Sequence, residues 1–247
     1  MAKYLHDYGV DMLCVDTVNQ DTKDMDITDD AVWSRLKAKI QAGNFHFIFA
    51  GPPCRTFSVA RQVRPGPPPL RDRQHPYGFP KAQARERGLT PNDLENIRVD
   101  NLLAVRTAEA CSIMAGLGRG YAVETPARWG DRGEEAASMF DFVQFHDLHK
   151  QGAKIVEFDQ CRYGADTTKP TQVLYQYARL DQLEKRCTHP PVRHQLPSGK
   201  EAWTAHPPCV GVKTKTGDYA TKALSAYPGP LNKHIADIIH DSLIDVI

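Results

Sequence analysis

The sequence lacks any hydrophobic run approaching the roughly 18 residues that a membrane-spanning helix needs. Its opening stretch, MAKYLHDYGVDMLCVD, also lacks the cationic start and continuous apolar core of a signal peptide. Internal repeats and low-complexity tracts are absent as well. We therefore expect a soluble intracellular protein that does not enter membranes, nuclear in a eukaryote and cytoplasmic otherwise.

The chain also lacks a strong net charge, with a formal value of +1 over 247 residues. The charge is nevertheless uneven. Residues 55–87 contain eight Lys/Arg against two acidic residues, and residues 169–222 contain nine against four. Two local basic regions favour a polyanionic partner, although each taken alone is typical of an ordinary solvated loop. The six cysteines, without an export signal, are expected to be reduced and free for catalysis or metal binding.

Alternating apolar segments and capping signals predict an α/β protein with a mostly parallel sheet and helices on both faces. The predicted strands are 10–15, 45–50, 121–123, 153–158 and 171–177, and the predicted helices are 1–9, 30–43, 94–117, 136–150 and 231–245. We divide the chain into a catalytic domain at 1–177, a small irregular module at 178–222, and a closing helix at 223–247 that returns to the catalytic domain.

Cys54 lies directly after a predicted strand, at the tip of the turn Gly51-Pro52-Pro53. The two prolines fix the backbone and remove two donors, so the turn is stiff enough to hold a nucleophile in place. Free N–H groups at the start of a following helix, with Arg55 adjacent, are expected to lower the pKa of this thiol. The alternative is a buried structural cysteine, which leaves the unusual turn unexplained.

Two acids also follow predicted strands, at the edge where α/β sheets bind ligands. Glu124 comes after the apolar segment Tyr121–Val123, and near a thiolate an acid with a raised pKa could donate a proton to a ring nitrogen. Asp16 follows the strand predicted at 10–15 and is placed to bind ribose hydroxyls. The alternatives are a surface acid for Glu124 and a loop acid for Asp16.

These motifs resemble those of the cytosine-C5 DNA methyltransferases. GPPCRTFS, residues 51–58, resembles their catalytic G-x-P-C-Q-x-F-S motif, and VETP, residues 123–126, resembles their Glu-Asn-Val motif. Shorter similarities, together covering most of residues 3–240, are MLCVD, MDIT, DNLL, CRYGADTTKPTQVLY and YPGPLNKHIADII. The chain therefore resembles a divergent member of this family.

The resemblance implies a Rossmann-like, S-adenosylmethionine-dependent methyltransferase fold with a small irregular C-terminal recognition module. It further implies that Cys54 attacks C6 of a flipped cytosine while Glu124 holds N3. The third residue of this implied catalytic set is Lys169, at the first arginine position of the Gln-x-Arg-x-Arg motif. The implied cofactor-binding residues are Asp16, Asp26, Ile27, Pro53, Asn101 and Leu102. The implied nucleic-acid-binding residues are Arg55, Ser58, Arg61, Arg71 and Arg73, all expected to face solvent.

The sequence departs from the family pattern at several positions. Arg55, Thr125 and Thr171 replace a Gln, an Asn and an Arg, and the Gly-rich segment that precedes the family's first helix has no counterpart here. We expect weak S-adenosylmethionine binding by this chain, and a monomer unless a partner supplies that segment. RNA as the substrate remains an alternative to DNA, and so does a non-catalytic nucleic-acid-binding relative.

The module at 178–222 contains Cys187, His189, His194 and Cys209, whose types and order suit tetrahedral zinc. Their spacing matches no standard zinc finger, so the alternative is four unrelated residues. A metal would help so short a segment to fold, because it has little core of its own. His206 has no recognisable partner spacing and is expected at the surface or in a satisfied position.

Overall fold

The computed structural model describes residues 1–16, 25–62, 67–129, 133–195, 201–207, 209, 221 and 226–244. The helices within these ranges are α1 (Ala2–Asp7), α2 (Asp30–Gln41), α3 (Lys81–Glu86), α4 (Pro91–Gly116), α5 (Val143–Lys150) and α6 (Gly229–Ile244). The strands are β1 (Phe47–Ala50), β2 (Gly120–Pro126), β3 (Lys154–Asp159), β4 (Pro170–Gln176), β5 (Val192–Gln195) and β6 (Glu201–Thr204). No helix in this part of the chain has the length and apolar character that crossing a bilayer requires.

Local capping signals set the helix boundaries. The Asp29 carboxylate accepts the N–H groups of Ala31 and Val32 and so starts α2. The predicted helix at 136–150 is wrong in its first half, because Ser138 caps a separate 3-10 turn and Phe142 is extended, with φ −71° and ψ 142°. Only α5 forms the helical part of that segment.

The main sheet has the order β1-β2-β4-β3. Strands β1 and β2 are parallel, whereas β4 runs antiparallel to both β2 and β3. The predicted mostly parallel sheet is therefore wrong for these four strands. The reason is the connection between β3 and β4, residues 160–169, which is too short for the dozen or more residues of a parallel crossover.

The strand predicted at 10–15 is also wrong. Residues 10–16 have no regular secondary structure, and Met12, Leu13 and Val15 are exposed. A strand needs a neighbour for its backbone groups, and no strand among the described residues pairs with this segment. The Rossmann-like class stays a prediction.

Helices cover both faces of the sheet, as predicted. Side chains of α2, α4 and α5 pack on one face with Tyr121 and Val123 of β2. Side chains of α1 and α6 pack on the other face with Ala122 of β2 and Val173 of β4. Successive side chains of β2 point to opposite faces of the sheet, because a strand has a two-residue period. Both faces are buried, since helices pack on each.

Strands β5 and β6 form a separate antiparallel hairpin within the module predicted at 178–222. The hairpin is largely exposed, and Trp203 has 70% of its surface accessible. Residues 196–200, 208, 210–220 and 222 of the predicted module lie outside the described residues. The hairpin is thus a small, solvated element with little core, whereas Leu180 and Leu183 of the same predicted module are buried against the main sheet.

Candidate active site

The parallel pairing of β1 with β2 brings the Cys54 turn beside Glu124. Ala50 is opposite Val123, so Gly51 and Glu124 come next at the same edge of the sheet. A Cβ added at Gly51 would lie 3.4 Å from the Tyr227 hydroxyl oxygen and 3.8 Å from Glu124 Oε2. Glu124 is inside β2 rather than beyond its end, paired with Val173 of β4. The strand pairing therefore fixes its backbone.

Cys54 begins a helical turn directly after the proline pair. Its carbonyl accepts the N–H groups of Phe57 at 3.0 Å and Ser58 at 3.1 Å, and its side chain is half-buried. Burial, followed by the charge of Glu124, raises the pKa of the thiol to about 11, while Lys169 acts in the opposite direction. The direction is opposite to the predicted lowering of the pKa, because burial and the charge of Glu124 dominate and the Arg55 side chain bonds Asp100 instead.

Glu124 is 9% exposed and is the buried acid of the site. Burial raises the pKa of its carboxyl, against the opposing effects of the Lys169 charge and a hydrogen bond donated by the Tyr227 hydroxyl. The raised pKa of Glu124 agrees with the sequence prediction.

Tyr227 is a functional candidate that we did not single out from the sequence. The sequence signal that could have identified it is a tyrosine just before the last helix. A buried tyrosine hydroxyl needs a hydrogen-bond partner, and Glu124 is that partner here.

Lys169 lies in the connection that precedes β4 and joins Cys54, Glu124 and Tyr227 at the site. Its φ of +37° is unusual for a residue with a side chain, and its carbonyl is held by the Gln160 N–H at 3.4 Å and the Thr171 hydroxyl at 3.1 Å. The ammonium lies 5.3 Å from the centre of the Tyr227 ring. Burial lowers the pKa of Lys169, whereas Glu124 and Cys54 favour its charged form. The structure thus brings together all three predicted catalytic residues.

Arg71 is 1% exposed, so the prediction that it faces nucleic acid is wrong. Its guanidinium donates to Thr56 Oγ1 at 2.9 Å and to Asn101 Oδ1 at 2.8 Å, and its central carbon lies 3.9 Å from the centre of the Phe57 ring. Burial lowers its pKa to about 10, and Asp100 opposes that shift. Arg71 therefore belongs to the packing behind the Cys54 turn.

Asp100, on α4, is the acid at the centre of this packing. It is 1% exposed and accepts the Thr56 hydroxyl at 2.7 Å and Arg55 Nε at 3.2 Å. These bonds attach the residues directly after Cys54 to the long helix. The turn that carries the thiol is therefore held from both ends, by β1 and by α4.

The other predicted nucleic-acid-binding residues differ in exposure. Arg61 donates to the carbonyls of Arg55 at 2.6 Å and Pro68 at 2.8 Å, and Ser58 Oγ accepts the N–H of Ala60 at 3.2 Å. The Arg55 side chain is 51% exposed and that of Arg73 is 58% exposed, and Arg73 pairs with Glu134 at 3.1 Å. Arg55 and Arg73 are thus the members of the predicted set with the most accessible guanidinium groups.

Of the six predicted cofactor residues, two are engaged in contacts within the chain and a third lies outside any strand. The segment with Asp16 forms no strand, and Asp26 Oδ1 accepts the N–H and hydroxyl of Thr28 at 2.8 and 2.7 Å. The Asn101 side chain is used by Arg71 and by the Tyr77 carbonyl. The remaining three have these positions: Ile27 packs against the core, Pro53 is exposed, and Leu102 is half-buried on α4.

A second cluster contains Cys161, Cys187, His189 and His206, whose ligand atoms all lie within 4.8 Å of one another. Two of the four predicted metal ligands, Cys187 and His189, belong to this cluster. The other two predicted ligands, His194 and Cys209, do not belong to it. His194 lies 3.1 Å from the Thr204 carbonyl across the hairpin, and Cys209 is not in the group.

The sequence prediction missed Cys161 and His206. Each is far along the chain from the Cys187–His189 pair, so no local spacing could have identified it. His206 was expected to be a surface or satisfied residue, and its Nδ1 does lie 3.1 Å from the Asp166 carbonyl, but its place in this cluster was not predicted. Comparisons of the chain with family models, curated proteins and solved structures give no match.

Proposed function

We propose that this protein transfers a methyl group from S-adenosylmethionine to C5 of cytosine in DNA, through a covalent intermediate on Cys54. The observation that carries the proposal is the placement of a thiol, a buried acid and a lysine at one edge of the β1–β2 pair. Substitution at C5 of a pyrimidine needs a nucleophile at C6 and a proton donor at N3, and Cys54 and Glu124 supply these groups. When bound, S-adenosylmethionine supplies an electrophilic methyl group.

The electrostatic coupling of Cys54 and Glu124 suits this chemistry. The negative charge of Glu124 raises the pKa of the thiol. A proton moved from Cys54 to Glu124 therefore removes the charge that opposes the thiolate, and the total charge of the site does not change. Lys169 favours a negative charge on either partner. The pair can thus reach the reactive form, thiolate beside carboxylic acid, without taking a proton from solvent.

In the addition step, the Cys54 sulfur forms a bond to C6 of the ring. The C5–C6 π electrons move to the C4–C5 bond, and the C4–N3 π electrons take the proton of Glu124 at N3. C5 of the resulting neutral enamine is nucleophilic. After substitution at C5, a water molecule takes the C5 proton to solvent, the electrons of that C–H bond form the C5–C6 double bond, the S–C6 bond breaks to release the thiolate, and the N3 proton returns to Glu124. The Tyr227 hydroxyl orients the carboxyl throughout.

Nucleic acid as the substrate is supported by the two basic regions, 55–87 and 169–222, and by the exposed side chain of Arg55, which is adjacent to Cys54 in the chain. The base must leave its stack to reach a half-buried thiol. A non-catalytic nucleic-acid-binding protein is the second candidate. The observation in its favour is that Asp26 and Asn101 are occupied by contacts within the chain.

Trapping with 5-fluorocytosine tests the proposal, because fluorine cannot leave C5 as a cation and the adduct persists. We expect a covalent complex with fluorinated DNA and S-adenosylmethionine, none with Cys54→Ser, and an undiminished yield with Cys14→Ser, the control at an exposed cysteine. An adduct with RNA alone would assign RNA as the substrate. Binding of both oligonucleotides with no adduct would refute catalysis and support the second candidate.

A further inference from the structure

We propose that Cys161, Cys187, His189 and His206 bind one tetrahedral zinc ion that attaches the β5–β6 hairpin to the main sheet. Two thiolates and two imidazoles are a common ligand set for structural zinc. The four ligand atoms already lie within 4.8 Å of one another. The inference does not depend on the methyl-transfer proposal, since no member of the cluster contacts Cys54 or Glu124 in the structure as described.

The distances within the cluster match a shared metal. Cys187 Sγ lies 3.4 Å from His189 Nδ1 and 3.4 Å from His206 Nε2. Zinc bonds of about 2.3 Å to sulfur and about 2.0 Å to nitrogen, at tetrahedral angles, separate the two ligand atoms by about 3.5 Å. A zinc ion therefore fits between these atoms with little movement of the side chains.

Contacts outside the cluster orient its ligands. His206 Nδ1 lies 3.1 Å from the Asp166 carbonyl, which favours a proton on Nδ1 and leaves Nε2 free for the metal. The backbone N–H of Cys187 donates to Asp159 Oδ2 at 2.7 Å, and the N–H of Asp159 donates to the Lys185 carbonyl at 2.9 Å. These bonds hold the Cys187 segment against the end of β3.

The position of the ligands in the fold explains what the metal would do. Cys161 follows β3, Cys187 and His189 precede β5, and His206 follows β6. The ion would close the base of a hairpin that has almost no core of its own, and two strands alone are marginally stable in water. It would also fix one end of the connection that leads to Lys169.

The direct test is the metal content of the full chain, purified without chelator and measured by mass spectrometry. We expect one zinc per chain. After replacement of zinc by cobalt, the visible spectrum should show the ligand-field bands of tetrahedral Co²⁺ and thiolate-to-metal charge transfer. Cys187→Ser and His206→Gln should each weaken cobalt binding by about tenfold or more. His194→Gln and Cys209→Ser, matched substitutions at the ligands predicted from sequence alone, should bind as the parent does.

Two results would overturn the proposal. One is a folded parent chain that contains no zinc and binds no cobalt, a result that needs no variant to fold. The other is loss of metal in His194→Gln or Cys209→Ser with retention in His206→Gln, which would assign a different ligand set. Hydrogen exchange gives a separate readout, because chelation should increase amide exchange in β5 and β6 while the main sheet stays protected. All these measurements are independent of methylation.

Discussion

Glu124 makes Cys54 harder to ionise. Burial raises the pKa values of both groups, the charge of Glu124 adds to the shift of the Cys54 thiol, and Lys169 offsets part of each shift. At neutral pH the free protein therefore holds Cys54 as a thiol, which protects it from oxidation and alkylation. Under the proposed function, a bound cytosine that accepts a hydrogen bond from the Glu124 carboxylic acid would favour the protonated carboxyl, and so remove the charge that opposes the Cys54 thiolate.

We expect substitutions of Glu124 and Lys169 to change the reactivity of the Cys54 thiol in opposite directions. Glu124→Gln removes a negative charge and should lower the pKa of Cys54, so alkylation at about pH 8 should become faster. Lys169→Gln removes a positive charge and should slow it. Because the thiolate fraction below the pKa changes tenfold for each pH unit, the parent rate should keep rising until about pH 11.

Iodoacetamide labelling followed by mass spectrometry of the Cys54 peptide measures these rates. The exposed Cys14 in the same sample is the internal control, and its rate should not change in either variant. Equal rates in both variants would contradict the electrostatic coupling that the mechanism requires.

Arg71 should contribute to stability rather than to binding. Arg71→Ala removes a buried guanidinium that bonds Thr56 and Asn101 and packs on Phe57, and we expect a loss of about 3 kcal/mol in the free energy of unfolding. Arg73→Ala is the matched control. Its side chain is exposed and its pair with Glu134 is accessible to solvent, so about 0–1 kcal/mol is expected. Urea denaturation compares the two, and equal losses would mean that Arg71 is not a buried structural cation.

The role of Arg71 could not be predicted from the sequence. It lies in a Pro-rich basic segment without apolar periodicity, which is typical of a solvated loop. Its burial depends on Asp100 and Asn101, which are brought to it by α4 from elsewhere in the chain. Cys54 and Glu124 were predictable, because each follows from a short local motif at a strand.

Helix α4 links β1 to β2 and carries Asp100 to the Cys54 turn. Its start is fixed by a capping box, in which the Asp93 N–H donates to Thr90 Oγ1 at 3.1 Å and the Thr90 N–H donates to Asp93 Oδ2 at 3.0 Å. Thr90→Ala should therefore reduce the free energy of unfolding by about 1 kcal/mol. Thr90→Ser keeps the hydroxyl and should match the parent in thermal or urea denaturation. An equal loss in both variants would exclude the cap as the cause.

Helices were more predictable than strand directions for a physical reason. Caps and terminal glycines act within a few residues, as at Asp29 and Gly43, so the sequence carries them directly. Strand pairing depends on segments far apart in the chain. The apolar run at 10–15 has strand-like composition, yet it has no pairing partner among the described residues.

At the scale of the whole molecule, the site combines four segments: the turn after β1, strand β2, the connection before β4, and Tyr227 before α6. The proposed metal would attach the exposed hairpin to one of these, the connection that contains Lys169. The basic regions belong to two of them, with exposed arginine side chains at Arg55 and Arg73 in the first region and at Arg186 and Arg193 in the second. Nucleic acid bound across the hairpin and the Cys54 turn would therefore contact both basic regions.

Exchange of the C5 hydrogen of cytosine tests the central claim most directly, because it needs Cys54 and Glu124 but no methyl donor. Addition of Cys54 to C6 makes C5 able to take a deuteron from D₂O, and elimination then releases a C5-deuterated base. We predict deuterium at C5 of substrate DNA with the parent chain, none with Cys54→Ser, and a rate reduced by about 100-fold or more with Glu124→Gln. Bound DNA that gains no deuterium in the parent, or gains it equally in Cys54→Ser, would contradict the account.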